Sequence, residues 1–232
     1  MRLRTHQPRR PVAFAVLAGL VAAACLAAIG SASATASDPA QPVQAITPAV
    51  TGVLSVFARQ ATAADTPSAG TIQVSDLNGL ASLGFAPAAQ ANPALARLAF
   101  VTPQDASIYL IPTQDGACLV DSSGVISAAC ATTARIAAGE ALASTTCSPT
   151  LPSGDIEIAG IVPDGAQQPL VVLSDGATED LSVENNAFVL RQARSAPLPT
   201  TVEWTTSTGS VSTPAPLPAD TAAEPCVSAP PS

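Results

Sequence analysis

Residues 160–190 read GIVPDGAQQPLVVLSDGATEDLSVENNAFVL, in which two Asp-Gly pairs divide short apolar and β-branched runs. Pro163-Asp164-Gly165 closes an apolar run that begins near Ile156. Pro presets φ, Asp bonds its own downstream backbone, and Gly takes a positive φ without steric cost. Leu170 to Leu173 is a continuous apolar run, expected as a strand buried on both faces. Asp175-Gly176 between that run and Leu181 and Val183 is a strong hairpin signal. Asn185-Asn186 marks a bulge or turn, because Asn tolerates the left-handed region, and Ala187 to Leu190 makes a further strand. The spacing predicts an antiparallel β-meander over 155–191.

A second meander is expected upstream, over 98–130. Leu98 to Val101, Ser107 to Ile111, Ala117 to Val120 and Val125 to Cys130 are the apolar runs, separated by Thr102–Asp105, Pro112–Gly116 and Ser122–Gly124. The turn at Pro112–Gly116 weakly echoes the one at Pro163–Gly165. Before these strands, Ala49 to Ala61 predicts a short helix with Val50, Val53, Leu54 and Phe57 on one face. Asp76 to Leu83 predicts a second, N-capped by Asp76. Ala131 to Ala143 fits a short helix or an irregular crossover, and 145–154 a linker. Val202 to Thr205 is expected as an edge strand carrying a partly buried Trp204. Residues 206–232 are Ser, Thr, Pro and Ala with two acids, a composition expected to stay disordered.

The first residues carry targeting cues. Arg2, Arg4, Arg9 and Arg10 precede an apolar segment from Val12 to Ile29, and Ser31 to Ala36 offers A-x-A cleavage sites after Ala34 and Ala36. Two readings stand: a cleaved secretory signal, or an uncleaved N-terminal membrane anchor with its arginines on the cytoplasmic side. Cys25 reads as a small apolar residue within that segment. The division expected is therefore 1–36 signal or anchor, 37–97 spacer with two short helices, 98–205 β-rich body and 206–232 tail. The fold class is mainly β: antiparallel meanders forming a small sandwich or a two-lobed body.

Beyond the leader, five arginines face 17 acids, a balance of −12, and the chain has no lysine. So acidic a surface repels phosphate backbones and anionic headgroups, which excludes nucleic acid as the expected partner and limits membrane contact to the N-terminal segment. The only histidine is His6, so the exported residues hold neither His nor Lys. Ser-His-Asp, Cys-His and Ser-Lys catalysis, His-containing zinc sites and the Walker A lysine are thereby excluded. Carboxylate-only chemistry such as glycoside hydrolysis survives, although sugar sites favour aromatic platforms and the exported residues hold one Trp, one Tyr and four Phe. No catalytic, cofactor or metal residue is assigned; Asp105, Asp115, Asp164 and Asp175 read as turn residues.

Cys118, Cys130, Cys147 and Cys226 form an even set, which in an oxidising compartment reads as two disulfides. Three connectivities are possible. A hairpin centred near Gly124 would place Cys118 opposite Cys130, leaving Cys147 for Cys226.

The residues Val56-Phe57-Ala58-Arg59 with Thr62-Ala63-Ala64-Asp65, the block IYLIP…DGACLV…C, and the block GIVPDG…VVLSDG…VENNAFVL resemble a group of biochemically uncharacterised exported proteins of high-GC actinobacteria. The resemblance runs from Val50 to Leu190. It implies export and a β-meander and brings no catalytic residues across. The expected role is an exported, non-enzymatic interaction module of the cell envelope or secreted space, its partner an envelope or extracellular protein or glycan. The alternative is a carboxylate-based hydrolase acting on envelope polysaccharide.

Overall fold

The computed structural model describes residues 44–67, 88, 90–121, 129–145 and 155–216, all within the compact unit from Asp38 to Ser232. Strands β1 (Arg97–Val101), β2 (Ser107–Pro112), β3 (Gly116–Asp121) and β4 (Ala129–Thr132) lie side by side in chain order, each antiparallel to the last. This is the expected upstream meander. The first two turns are short: Thr102 N–H donates to Ala106 O around Asp105 at φ 60°, and Thr113 N–H donates to Gly116 O. Residues 122–128, where the hairpin centre at Gly124 and the start of the fourth strand were expected, lie outside the described residues.

The expectation of a second meander over 155–191 is corrected. β6 (Ile156–Ile161) and β9 (Ala187–Gln192) pair with each other and with β5 (Leu142–Thr145) in a three-stranded sheet ordered β5-β6-β9. β7 (Gln167–Leu173) and β8 (Thr178–Asp180) leave that sheet and join β10 (Pro199–Thr206) and β11 (Gly209–Pro214) in another, ordered β11-β10-β7-β8. The turns themselves form where the residues place them. Gly176 has φ +84° and Asp175 Oδ1 accepts from Ala177 N–H, closing the β7–β8 hairpin. Asn185 and Asn186 both have positive φ, and Glu184 and Ala187 exchange both main-chain bonds across them. That two-residue turn sends β9 back along β6.

Burial decides which strands go where. β6 is buried at every position, whereas β7 exposes Gln167 and Gln168 and alternates thereafter. Leu170 to Leu173 is therefore not buried on both faces: Val171 and Leu173 are buried, while Leu170 and Val172 are half-covered. The side-chain alternation of a strand puts Ala159 and Ile161 in a core with Leu110, Leu119 and Ile136 of the first sheet and α2 (Thr133–Ala137). Ile156 and Ile158 point the other way, into a core with Val171, Phe188, Val202 and Trp204. The β5-β6-β9 sheet is thus the middle layer between the other two.

Four further differences have local causes. The helix expected over 49–61 is a four-residue α1 (Pro48–Thr51) followed by a 3₁₀ turn at Ser55–Phe57, because Gly52 ends the first and Leu54 is extended at φ −131°. Its apolar stripe still reaches the inner core, with Val50 and Leu54 at 0% exposure. Residues 131–143 hold both α2 and the start of β5, which continues to Thr145 where a linker was expected. β10 is interior rather than an edge, and Trp204 is fully buried at 2% exposure. β11 occupies residues assigned to the tail, pairing along β10 from Thr206↔Gly209 to Thr201↔Pro214. The second expected helix, 76–83, and residues 217–232 lie outside the described residues.

Gly160 is where the middle sheet is tightest. It pairs with Leu142 on one side and Phe188 on the other. A Cβ there would stand 2.5 Å from Phe188 Cε1 and 2.6 Å from Leu142 Cδ2. Phe188 is fully buried and has no room to yield. Gly160→Ala is expected to lower stability by about 1–3 kcal/mol, read from the urea midpoint with the single tryptophan as reporter. An unchanged midpoint would contradict the packing described.

Candidate functional site

The carboxylates of the body divide into those in solvent and those held inside. Asp105, Asp115, Asp175, Glu179, Asp180 and Glu184 are exposed. Three others are buried, Asp65, Asp121 at the end of β3 and Glu157; Asp65 and Glu157 are each gripped by an arginine.

Asp65 ends a 3₁₀ turn, Ala63–Asp65, built by a T-x-x-D capping box: Thr62 N–H and Oγ1 both donate to Asp65 Oδ2. Arg59 adds a fork, Nη1 to Oδ2 at 2.7 Å and Nη2 to Oδ1 at 2.5 Å, and Leu98 N–H donates to Oδ1 at 2.7 Å. Burial alone would push this carboxyl up. The guanidinium and the Thr62 and Leu98 donors outweigh it and hold Asp65 well below the usual carboxylate range, while the same bond raises Arg59. Because Arg59 Nη2 also donates to Leu98 O, the pair ties the N-terminal segment to the outer edge of β1.

Glu157 lies on β6 directly across from Arg191 on β9. Its side chain is 1% exposed, and Arg191 Nε donates to its Oε2 at 2.7 Å. Arg191 Nη1 donates to Gln104 Oε1, which draws the β1–β2 turn over β9. Between turn and strand is a cleft of about 240 Å³ lined by Phe100, Thr102, Pro103, Gln104, Val189 and Arg191. Ligand pockets commonly measure roughly 300–1,000 Å³, so this one is small. Its lining combines the apolar Phe100, Pro103 and Val189 with the Thr102 hydroxyl, the Gln104 amide and the Arg191 guanidinium, and no carboxylate lines it. The Arg191 charge is answered from beneath by Glu157.

A third network joins the chain ends of the middle sheet to the N-terminal segment. Asn186 Oδ1 accepts from Val56 N–H, Asn186 Nδ2 donates to Val162 O and to Asp164 Oδ1, and Ser55 Oγ donates to Asp164 Oδ1 at 2.6 Å. Asp164 therefore does more than turn the chain. Arg97, also buried, donates to the carbonyls of Leu95 and Ala96. Among the described residues, Arg59, Arg97 and Arg191 serve the fold.

Of the four cysteines singled out, Cys118 and Cys130 face each other on β3 and β4 and are bonded, with Cα atoms 4.0 Å apart. Cys147 and Cys226 lie outside the described residues. Among the described residues no group of three His, Cys, Asp or Glu side chains is placed to hold a metal ion. Sequence reasoning missed the Arg59–Asp65 and Glu157–Arg191 pairs. The first had a visible signal in Thr62-Ala63-Ala64-Asp65, a capping-box pattern; the second had none, since its partners meet only through strand pairing.

No family model matches the chain, and no match was found among the curated proteins or the solved structures.

Two outcomes are expected from this arrangement. Asp65 has a folded pKa below its unfolded value of about 3.9, so its contribution to stability is complete above that value and is lost as pH falls through the acid range. Asp65→Asn should cost on the order of 2–3 kcal/mol at neutral pH, the exposure of Arg59 moderating the loss. The variant should also flatten the acid limb of a denaturation-midpoint profile; parallel limbs would contradict the assignment. Separately, a peptide map without reduction should yield Cys118 linked to Cys130 and Cys147 linked to Cys226. Free thiol at Cys147 would break the proposed second pairing.

Proposed function

We propose that the chain is an exported, non-enzymatic interaction module of the cell envelope or secreted space. Its partner is an envelope or extracellular protein or glycan, and its only membrane contact is through the N-terminal segment. The observation that carries this reading is the fate of two of the three buried carboxylates. Asp65 and Glu157 each meet an arginine within the fold, and the cleft beside Arg191 is lined by apolar and amide groups. Glycoside hydrolysis uses two carboxyl groups facing one substrate from about 5 to 9.5 Å apart, an arrangement these pairings do not favour.

Export is supported by the basic, then apolar, then A-x-A leader. The Cys118–Cys130 bond agrees with an oxidising compartment. The acidic balance keeps such a module soluble and away from anionic surfaces.

The test pairs binding with turnover. Protein recovered from its exporting cells is incubated with isolated envelope polysaccharide and with envelope protein extract, and both retention and reducing-end release are measured. Saturable retention without release is the expected result. Sustained release of reducing ends that co-purifies with the protein would replace this reading with the carboxylate-based hydrolase.

A further inference from the structure

An antiparallel strand bonds to its neighbour through alternate residues and turns the main-chain groups of the others outward. Ala215 N–H donates to Thr200 O. With the register Thr201↔Pro214 through Thr206↔Gly209, this assigns Gly209, Val211 and Thr213 to the bonds with β10. Ser210, Ser212 and Pro214 turn their main-chain groups to the open side, and all three residues are exposed. Among the described residues nothing pairs with that side.

Two other strand edges, those of β1 and β8, are defended. On β1, Leu98 N–H is taken by Asp65, Leu98 O by Arg59, and Ala99 O by Asn185 Nδ2. β8 is three residues long and carries Glu179 and Asp180. β11 carries only one of the usual devices, a proline at its last position: it is six residues long, GSVSTP, with no charge and no bulge along its pairing with β10. From Trp204 to Ala219 the sequence has no charged side chain, in a chain whose body is otherwise strongly acidic.

We infer that the open edge of β11 pairs with β11 of a second copy, making one antiparallel sheet that runs through both protomers. Charge selects this occupant. In a two-fold contact a residue meets its own kind or a near neighbour, so an acidic edge repels itself and an uncharged one does not. β11 supplies that uncharged seam. Pro214 then sets the register. A two-fold axis at Ser212 would turn the Ser210 carbonyl toward Pro214 of the second copy, which has no N–H to give. An axis at Val211 places Ser210 opposite Ser212 of the second copy and satisfies the N–H and C=O of both serines in each protomer. The inference holds whatever partner the module binds elsewhere.

Sedimentation equilibrium of the purified protein over a concentration series tests it. The expected species is a dimer. Ser212→Pro removes an outward N–H without touching the main-chain bonds to β10, and should weaken the dimer about tenfold or more. Ser212→Ala loses the hydroxyl bond to Glu203 but keeps the N–H, and should remain dimeric. Buried Trp204 reports in each variant that the sheet is intact. Amide exchange checks the wild type independently: Ser210 and Ser212 should be protected as well as Val211 and Thr213. A monomer at all concentrations, a dimer indifferent to Ser212→Pro, or fast exchange at both serines would overturn the inference.

Discussion

A strand covered on both faces must satisfy its main chain through two neighbours and offer each of two cores an acceptable side chain at every step. β6 is under that constraint. Ile156 and Ile158 fill one core, Ala159 and Ile161 the other, and Gly160 leaves room for Phe188. Glu157 is the position where the alternation places a charge inside, and an isolated carboxylate there would be very costly. Arg191, brought opposite by the β6–β9 register, removes that cost. The same arginine then reaches Gln104 and shapes the cleft. Core packing and the surface feature of most functional interest thus share one origin.

How much of this was legible in the sequence depends on range. Asp175-Gly176 and Asn185-Asn186 form the turns their residues dictate, since positive φ is a local property. The upstream meander also follows, because short turns leave each strand little choice but its predecessor. What sequence reading misplaced is the partnership of β7 and β8. A period-two pattern states that a strand is half-buried but not which sheet buries it, and two well-formed hairpins in succession look like a meander. Val202 to Thr205 raised the same difficulty: its partner β11 has the small, polar composition of a tail. For the candidate site, Cys118 and Cys130 were legible through hairpin symmetry, whereas Glu157 and Arg191 were two unremarkable charges until the register joined them.

The segment before the first strand contributes more than a spacer would. Val50, Leu54, Val56 and Phe57 are buried in the inner core, and the main chain around them is fastened by Asn186, Asp164 and the Arg59–Asp65 fork. These fasteners are hydrogen bonds and an ion pair of polar side chains rather than strand pairing. They suit a segment broken into single turns, whose carbonyls and amides have few regular partners of their own.

The bond from Val56 N–H to Asn186 Oδ1 spans 130 residues. Contacts so distant in sequence form late, because the loop they close must be ordered before they return any stability. A chain delivered amino end first therefore holds Val50, Leu54 and Phe57 uncovered until Asn186 has arrived. The first sheet can assemble early from its own short turns, but its inner face waits for β6 and β9. The inner core consequently closes only after Asn186 has been delivered, however strong the local propensities before it.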